Sequence, residues 1–192
     1  MSASVAVLFA RTDSVYKLLP GCDVFDIDRD ARTWPGGVPV VAHPPCRAWG
    51  RLRAFAKPRV DEKELSHFAV GAVRTWGGVL EHPECSSLWA DAGMARPGSG
   101  RDRWGGWTFP VLQKWWGHRA DKATWLYVVG VEPAALPVVP YTMAEAVCTV
   151  ASSRRRGQSG ARYRPSLSKA EREHSPQAFA EWLVQLARGV RS

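Results

Sequence analysis

The sequence predicts an α/β fold, a largely parallel sheet flanked by helices. Short apolar, β-prone runs recur along the chain: Ser4 to Phe9, Val38 to Ala42, Val79-Leu80 and Trp125 to Val131. Segments with apolar residues at helical spacing lie between several of them, and such alternation is the signature of strand–crossover–strand units. With 192 residues and 45% hydrophobic content, the chain has the length of a single domain able to bury a sizeable core.

Each element follows in order. Ser4 to Phe9 reads as the first strand. Arg11-Thr12-Asp13-Ser14 supplies capping residues, after which Val15, Tyr16, Leu18 and Leu19 take helical spacing until Pro20-Gly21. Asp23 to Asp28 alternates Val24, Phe25 and Ile27 with acids, a second strand ending in carboxylates. After the Trp34-Pro35-Gly36-Gly37 turn, Val38 to Ala42 forms the third. A helix opens on the acids Asp61, Glu62 and Glu64, which favour its positive end, and stops at Gly77-Gly78. Val79-Leu80 is a short fourth strand ending at Glu81-His82-Pro83. Residues 91–110, rich in Trp, Gly and Arg, read as a long functional loop, and Trp125 to Val131 as a further strand. Residues 152–166 form a basic Gly/Ser-containing segment expected to be mobile without a ligand. Ser175-Pro176 then opens a last helix burying Phe179, Leu183 and Leu186. The whole reads as one Rossmann-like domain over residues 1–192.

Composition narrows the partners. The net charge is +8, from 26 Lys and Arg against 18 Asp and Glu, a balance common where a protein meets nucleic acid or nucleotides. No apolar run approaches the roughly 20 residues that span a bilayer, so a cytoplasmic protein without a membrane partner is expected. Cys22, Cys46, Cys85 and Cys148 are scattered without CxxC spacing; reduced thiols are expected, and no metal site. Ten tryptophans are present, and Trp104, Trp107, Trp115 and Trp116 crowd a Gly- and Arg-containing region as candidate stacking platforms for bases.

The most informative stretch is Val40-Val41-Ala42-His43-Pro44-Pro45-Cys46-Arg47. Two prolines stiffen the exit from a strand. They present Cys46 at a strand's carboxyl end, where open α/β sheets place ligands. Arg47, Arg51 and Arg53 nearby would depress the thiol's pKa and make it a nucleophile. Glu81 falls just past the next strand, on the same rim.

This order of motifs resembles the catalytic domain of DNA cytosine-C5 methyltransferases, in the compact form of small phage-type members. Pro45-Cys46 matches the Pro-Cys whose thiolate attacks C6 of the pyrimidine. Val79-Leu80-Glu81-His82-Pro83 is similar to the Glu-Asn-Val segment whose glutamate meets the base edge at N3. Gly117-His118-Arg119-Ala120-Asp121-Lys122 is a looser likeness of the Gln-x-Arg-x-Arg run that holds base and phosphate. The resemblance implies Cys46, Glu81 and Arg119 as catalytic, with Pro45, His43, His82, Lys122 and Trp107 binding substrate. It implies S-adenosylmethionine as cofactor, held by Asp26, Asp28 and Arg11. The family's Phe-x-Gly-x-Gly cofactor loop is missing, however: Leu8-Phe9-Ala10-Arg11-Thr12-Asp13-Ser14 has no glycine. There is little room for a target-recognition domain.

The chemistry this implies is covalent. A thiolate added at C6 makes C5 reactive, and a group at N3 stabilises the developing charge. A glutamate that donates to cytosine N3 must be protonated, so burial would raise the pKa of Glu81. The expected substrate is DNA or a pyrimidine nucleotide, modified by methylation or by another donor. Arg154-Arg155-Arg156 would contact phosphates. The alternative reading is a noncatalytic nucleic-acid-binding protein that retains the fold.

Overall fold

The computed structural model describes residues 4–150 and 164–191. Most of the basic segment expected at 152–166, with Arg154-Arg155-Arg156, lies outside them. Six strands make one sheet: β1 (Val5–Leu8), β2 (Cys22–Phe25), β3 (Val40–Ala42), β4 (Gly78–Pro83), β5 (Trp107–Leu112) and β6 (Ala123–Val129), in the order β2-β1-β3-β4-β6-β5. The first four strands are mutually parallel, and β6 runs antiparallel to both of its neighbours. Helices α1 (Glu62–Trp76), α2 (Leu88–Asp91), α3 (Lys169–Glu173) and α4 (Gln177–Arg188) complete the regular structure with several short 3-10 turns. This is the α/β Rossmann-like architecture the sequence predicts. No helix among the described residues is long and apolar enough to cross a membrane.

Alternation along the strands sends side chains to two cores. Val5, Val7, Val41, Val79, Leu126 and Val128 pack on one face beneath Phe179, Trp182, Leu183 and Leu186 of α4. Ala6, Leu8, Val40, Ala42, Leu80 and Tyr127 pack on the other beneath Ala69, Val70 and Val73 of α1. β1 and β3 are buried along their whole length, hence their unbroken Val/Leu/Ala character.

Several boundaries depart from the sequence reading, for identifiable reasons. The helix expected from Val15 is a 3-10 turn, Val15–Leu18, cut short by Pro20 and Gly21. β2 ends at Phe25 because the Asp26 carboxylate accepts the backbone N–H groups of Asp28 and Arg29 and turns the chain. The supposed loop over 91–110 yields to β5 at Trp107, and its remainder is pinned. Asp102 accepts the Tyr127 hydroxyl at 2.6 Å and the Trp104 and Gly106 N–H groups, while the Arg74 guanidinium lies 3.3 Å from the Trp104 ring centroid.

That pinned loop joins β5 where Trp107 faces Val128, at the amino end of the parallel strands. Trp104 and Trp107 accordingly lie away from the rim that carries Cys46. Trp107 is buried, donating its indole N–H to the Val131 carbonyl at 2.8 Å. Trp116 sits in the α4 core against Phe179 and Trp182.

Candidate functional site

The β3–β4 register builds the site. Val41 pairs with Val79 and Ala42 with Leu80. One step further, His43 therefore falls beside Glu81 on the α4 face of the sheet. The two meet: His43 Nδ1 lies 3.1 Å from Glu81 Oε2, and His43 Nε2 lies 2.9 Å from the hydroxyl of Tyr16, which is buried. Glu81 belongs to β4 rather than following it, because β6 continues the ladder and pairs Glu81 with Leu126.

The other carboxylate oxygen is held from β5's end. Gln113 Nε2 donates to Glu81 Oε1 at 3.1 Å and to Thr124 Oγ1 at 3.1 Å. The Thr124 hydroxyl donates its own proton to the Lys122 carbonyl at 3.0 Å. Its oxygen can then only accept, which fixes the amide orientation of fully buried Gln113. Neither Gln113 nor Tyr16 was picked out from sequence as a site residue. The one signal is that a glutamine and a tyrosine sit near predicted strand ends, which names no chemistry.

Electrostatics gather Cys46, Glu81 and Lys122 into one cluster. Burial pushes the Glu81 carboxyl up, but the His43 hydrogen bond and charge, then Lys122 and His82, outweigh it and hold the pKa near 2. This corrects the expectation of a protonated glutamate: burial comes with donors, and the donors win. Cys46 is exposed. Desolvation nonetheless pushes its thiol above the ordinary 9.0, with the carboxylates of Glu81 and Glu62 acting in the same sense and Lys122 against them. The expected depression by Arg47, Arg51 and Arg53 is thus reversed. The Arg47 guanidinium is taken up by an ion pair with the buried carboxylate of Glu62.

Lys122 replaces Arg119 as the cation of the site. Desolvation lowers the Lys122 pKa, while Glu81 and Cys46 oppose that shift. Its backbone has φ 40°, a left-handed conformation rare outside glycine, and its Nζ donates to the His174 carbonyl at 2.8 Å. Arg119 points away, 60% exposed and paired with Glu171 at 2.6 Å. His82 alternates to the opposite face from Glu81. There it is buried with its ring against Trp89, and desolvation lowers its pKa to about 4. It cannot touch a ligand beside Glu81.

A pocket of about 230 Å³ opens at the carboxyl ends of β1, β2 and β3, lined among others by Phe9, Asp26, His43, Pro45 and Glu62. It lies at the switch point where the chain, having placed β2 on one side of β1, returns to place β3 on the other. Of the fully buried Glu62 carboxylate, Oε1 meets the Arg47 guanidinium and Oε2 has no hydrogen-bond partner. Of the three expected cofactor residues only Asp26 lines this pocket, and it is paired with Lys17 at 2.5 Å. Asp28 is exposed. Arg11 is clamped between Asp13 at 2.9 Å and Glu173 at 2.6 Å. Comparison of the chain with protein-family models, with curated proteins and with solved structures gives no match.

Proposed function

We propose that the protein is a pyrimidine-modifying enzyme acting on DNA through a covalent adduct between Cys46 and C6 of the base. The observation that carries this reading is the β3–β4 register, which sets Glu81, both its oxygens fixed by neighbours, beside His43, three residues before Cys46. C6 and N3 are opposite atoms of the pyrimidine ring. A nucleophile on one side and a carboxylate on the other therefore suit one flat ring between them. Lys122 stabilises negative charge as it develops on the base.

The step balances without any further reactant. The Cys46 proton leaves to solvent, the thiolate sulfur bonds to C6, and the C5–C6 π pair moves onto C5, its charge shared with O4 in a uracil-type ring or with ring N3 in cytosine. C5 takes up a solvent proton; loss of a C5 proton and expulsion of sulfur restore the ring. DNA rather than a free nucleotide is favoured by the ten residues 51–60, where exposed Arg51, Arg53 and Lys57 alternate with exposed Leu52, Phe55 and Val60. Such a basic and apolar surface beside the nucleophile suits phosphates and an opened base stack.

S-adenosylmethionine, the donor that the resemblance implies, does not fit the switch-point pocket. Its about 230 Å³ falls below the roughly 300–1,000 Å³ of pockets for ligands of that size. Phe9 also carries a side chain at φ 63° where close backbone approach requires glycine. The chemistry assigned to these residues therefore ends at the adduct and its reversal.

The reading is tested by deuterium uptake at C5 of pyrimidines in DNA incubated with the protein in heavy water. Uptake is expected with the native chain and expected to vanish with Cys46→Ala. The noncatalytic reading draws on the raised Cys46 pKa; DNA binding without Cys46-dependent uptake would select it and overturn the enzyme.

A further inference from the structure

Glu81 can hold a ligand in only one hydrogen-bonding sense. Oε1 faces the Gln113 amide N–H, whose orientation is set by the Thr124 hydroxyl, itself spent on the Lys122 carbonyl. Oε2 faces His43 Nδ1, and His43 Nε2 faces the Tyr16 hydroxyl. Any proton on the Oε2 side is shared with the imidazole and lies between the two residues. What the carboxylate has left for a ligand is its remaining lone pairs, and those accept. Its side chain is 14% exposed, so a ligand group placed there loses most of its water. An acceptor facing that carboxylate then gives up water and gains no hydrogen bond from Glu81.

Uracil-type and cytosine bases differ at this point. A uracil-type ring carries N3–H, a donor, opposite C6. Cytosine carries a bare N3 lone pair there. A cytosine that slides to offer its exocyclic amino group instead carries C6 off the axis joining sulfur and carboxylate. We propose that the Gln113–Glu81–His43–Tyr16 chain makes this site selective for pyrimidines with a ring N3–H, the uracil and thymine type, over cytosine. Gln113 and His43 act as positioning residues, since each fixes the sense in which Glu81 meets the base. The inference rests on the covalent reading above and departs from the cytosine that the sequence resemblance implies.

Deuterium uptake at C5 separates the two claims, because it requires the sulfur adduct and no donor. Single- and double-stranded DNA carrying one deoxyuridine or one deoxycytidine at the same position is incubated with the full-length protein in heavy water. Uptake is then read by mass spectrometry. Deoxyuridine is expected to exchange about 10- to 100-fold faster, the range set by leaving one buried charged group facing an unmatched acceptor. Glu81→Gln replaces one acceptor by an amide N–H that cytosine N3 can accept, and it should narrow or invert the ratio. A merely structural glutamate would lower both rates and leave the ratio where it was. Equal rates, or faster deoxycytidine exchange, in the native chain would overturn the selectivity while leaving the adduct chemistry standing. No Cys46-dependent uptake on either base would overturn both.

Discussion

A thiol must lose its proton before it attacks carbon, so the charges around Cys46 govern the pH at which it works. Desolvation, Glu81 and Glu62 raise its pKa from 9.0, and Lys122 alone among the named side chains lowers it. The sign follows directly. With a raised pKa the thiolate is scarce at neutral pH, and the C5 exchange rate should climb with pH through and beyond 9. Lys122→Met removes the lowering charge, moving the profile to still higher pH. The neutral-pH rate should fall by up to about tenfold, the equivalent of one pKa unit. A pH–rate series on the two proteins checks this. A native profile already flat below pH 8, or one unmoved by the substitution, would show that the sulfur is governed by other groups. The same residue shows why sequence misjudged it: Arg47 is adjacent in the chain, yet its charge is spent on Glu62. Proximity in sequence does not report pairing.

At the scale of elements, the site depends on the β3–β4 register, and one glycine permits it. Gly78 opens β4 with φ +114°, and a Cβ there would lie 2.0 Å from the Val40 carbonyl oxygen. Gly78→Ala must push the two strands apart and should destabilise the fold by about 3 kcal/mol. It should also lower exchange by disturbing the His43–Glu81 pairing. Gly71→Ala is the matched control: it lies in α1 with nothing within 4 Å of the added carbon. It should stabilise by up to about 1 kcal/mol. Thermal unfolding of both variants decides; a neutral Gly78→Ala would mean that the strands approach less closely than described. The parallel strands and α1 were legible because their signals are local: β-branched runs, acids at a helix start, glycines at its end. Cys46 and Glu81 were legible for the same reason, each following such a run. β5 was not, because Gly, Arg and Trp around Trp107 read as loop composition, and only pairing with β6 makes a strand of it. Gln113 and Tyr16 were invisible too, and the sequence, which names both Arg119 and Lys122, does not show that Arg119 is spent on Glu171. All of these depend on which side chains from distant segments meet.

At the scale of the whole molecule, a net charge of +8 does not say which surface meets an anion. The paired cations are poor candidates: Arg11, Arg47, Arg59 and Arg119 all face carboxylates. The exposed stretch 51–60 is different, since Arg51, Arg53 and Lys57 project from the rim that carries Cys46. If that rim takes DNA, each phosphate neutralised releases counterions, and log K falls with log salt by about 0.9 per contact on duplex DNA. Arg51→Gln/Arg53→Gln/Lys57→Gln should then weaken binding across all sequences alike and reduce the slope by about 3. Deuterium uptake on a free deoxynucleotide, which reaches Cys46 without a polymer backbone, should be nearly unchanged in the same variant. Titrations of a labelled duplex at several salt concentrations give the slope directly. An unaltered slope would move the DNA-binding face elsewhere on the protein, and equal loss on duplex and free nucleotide would mean that these cations support the site rather than the backbone.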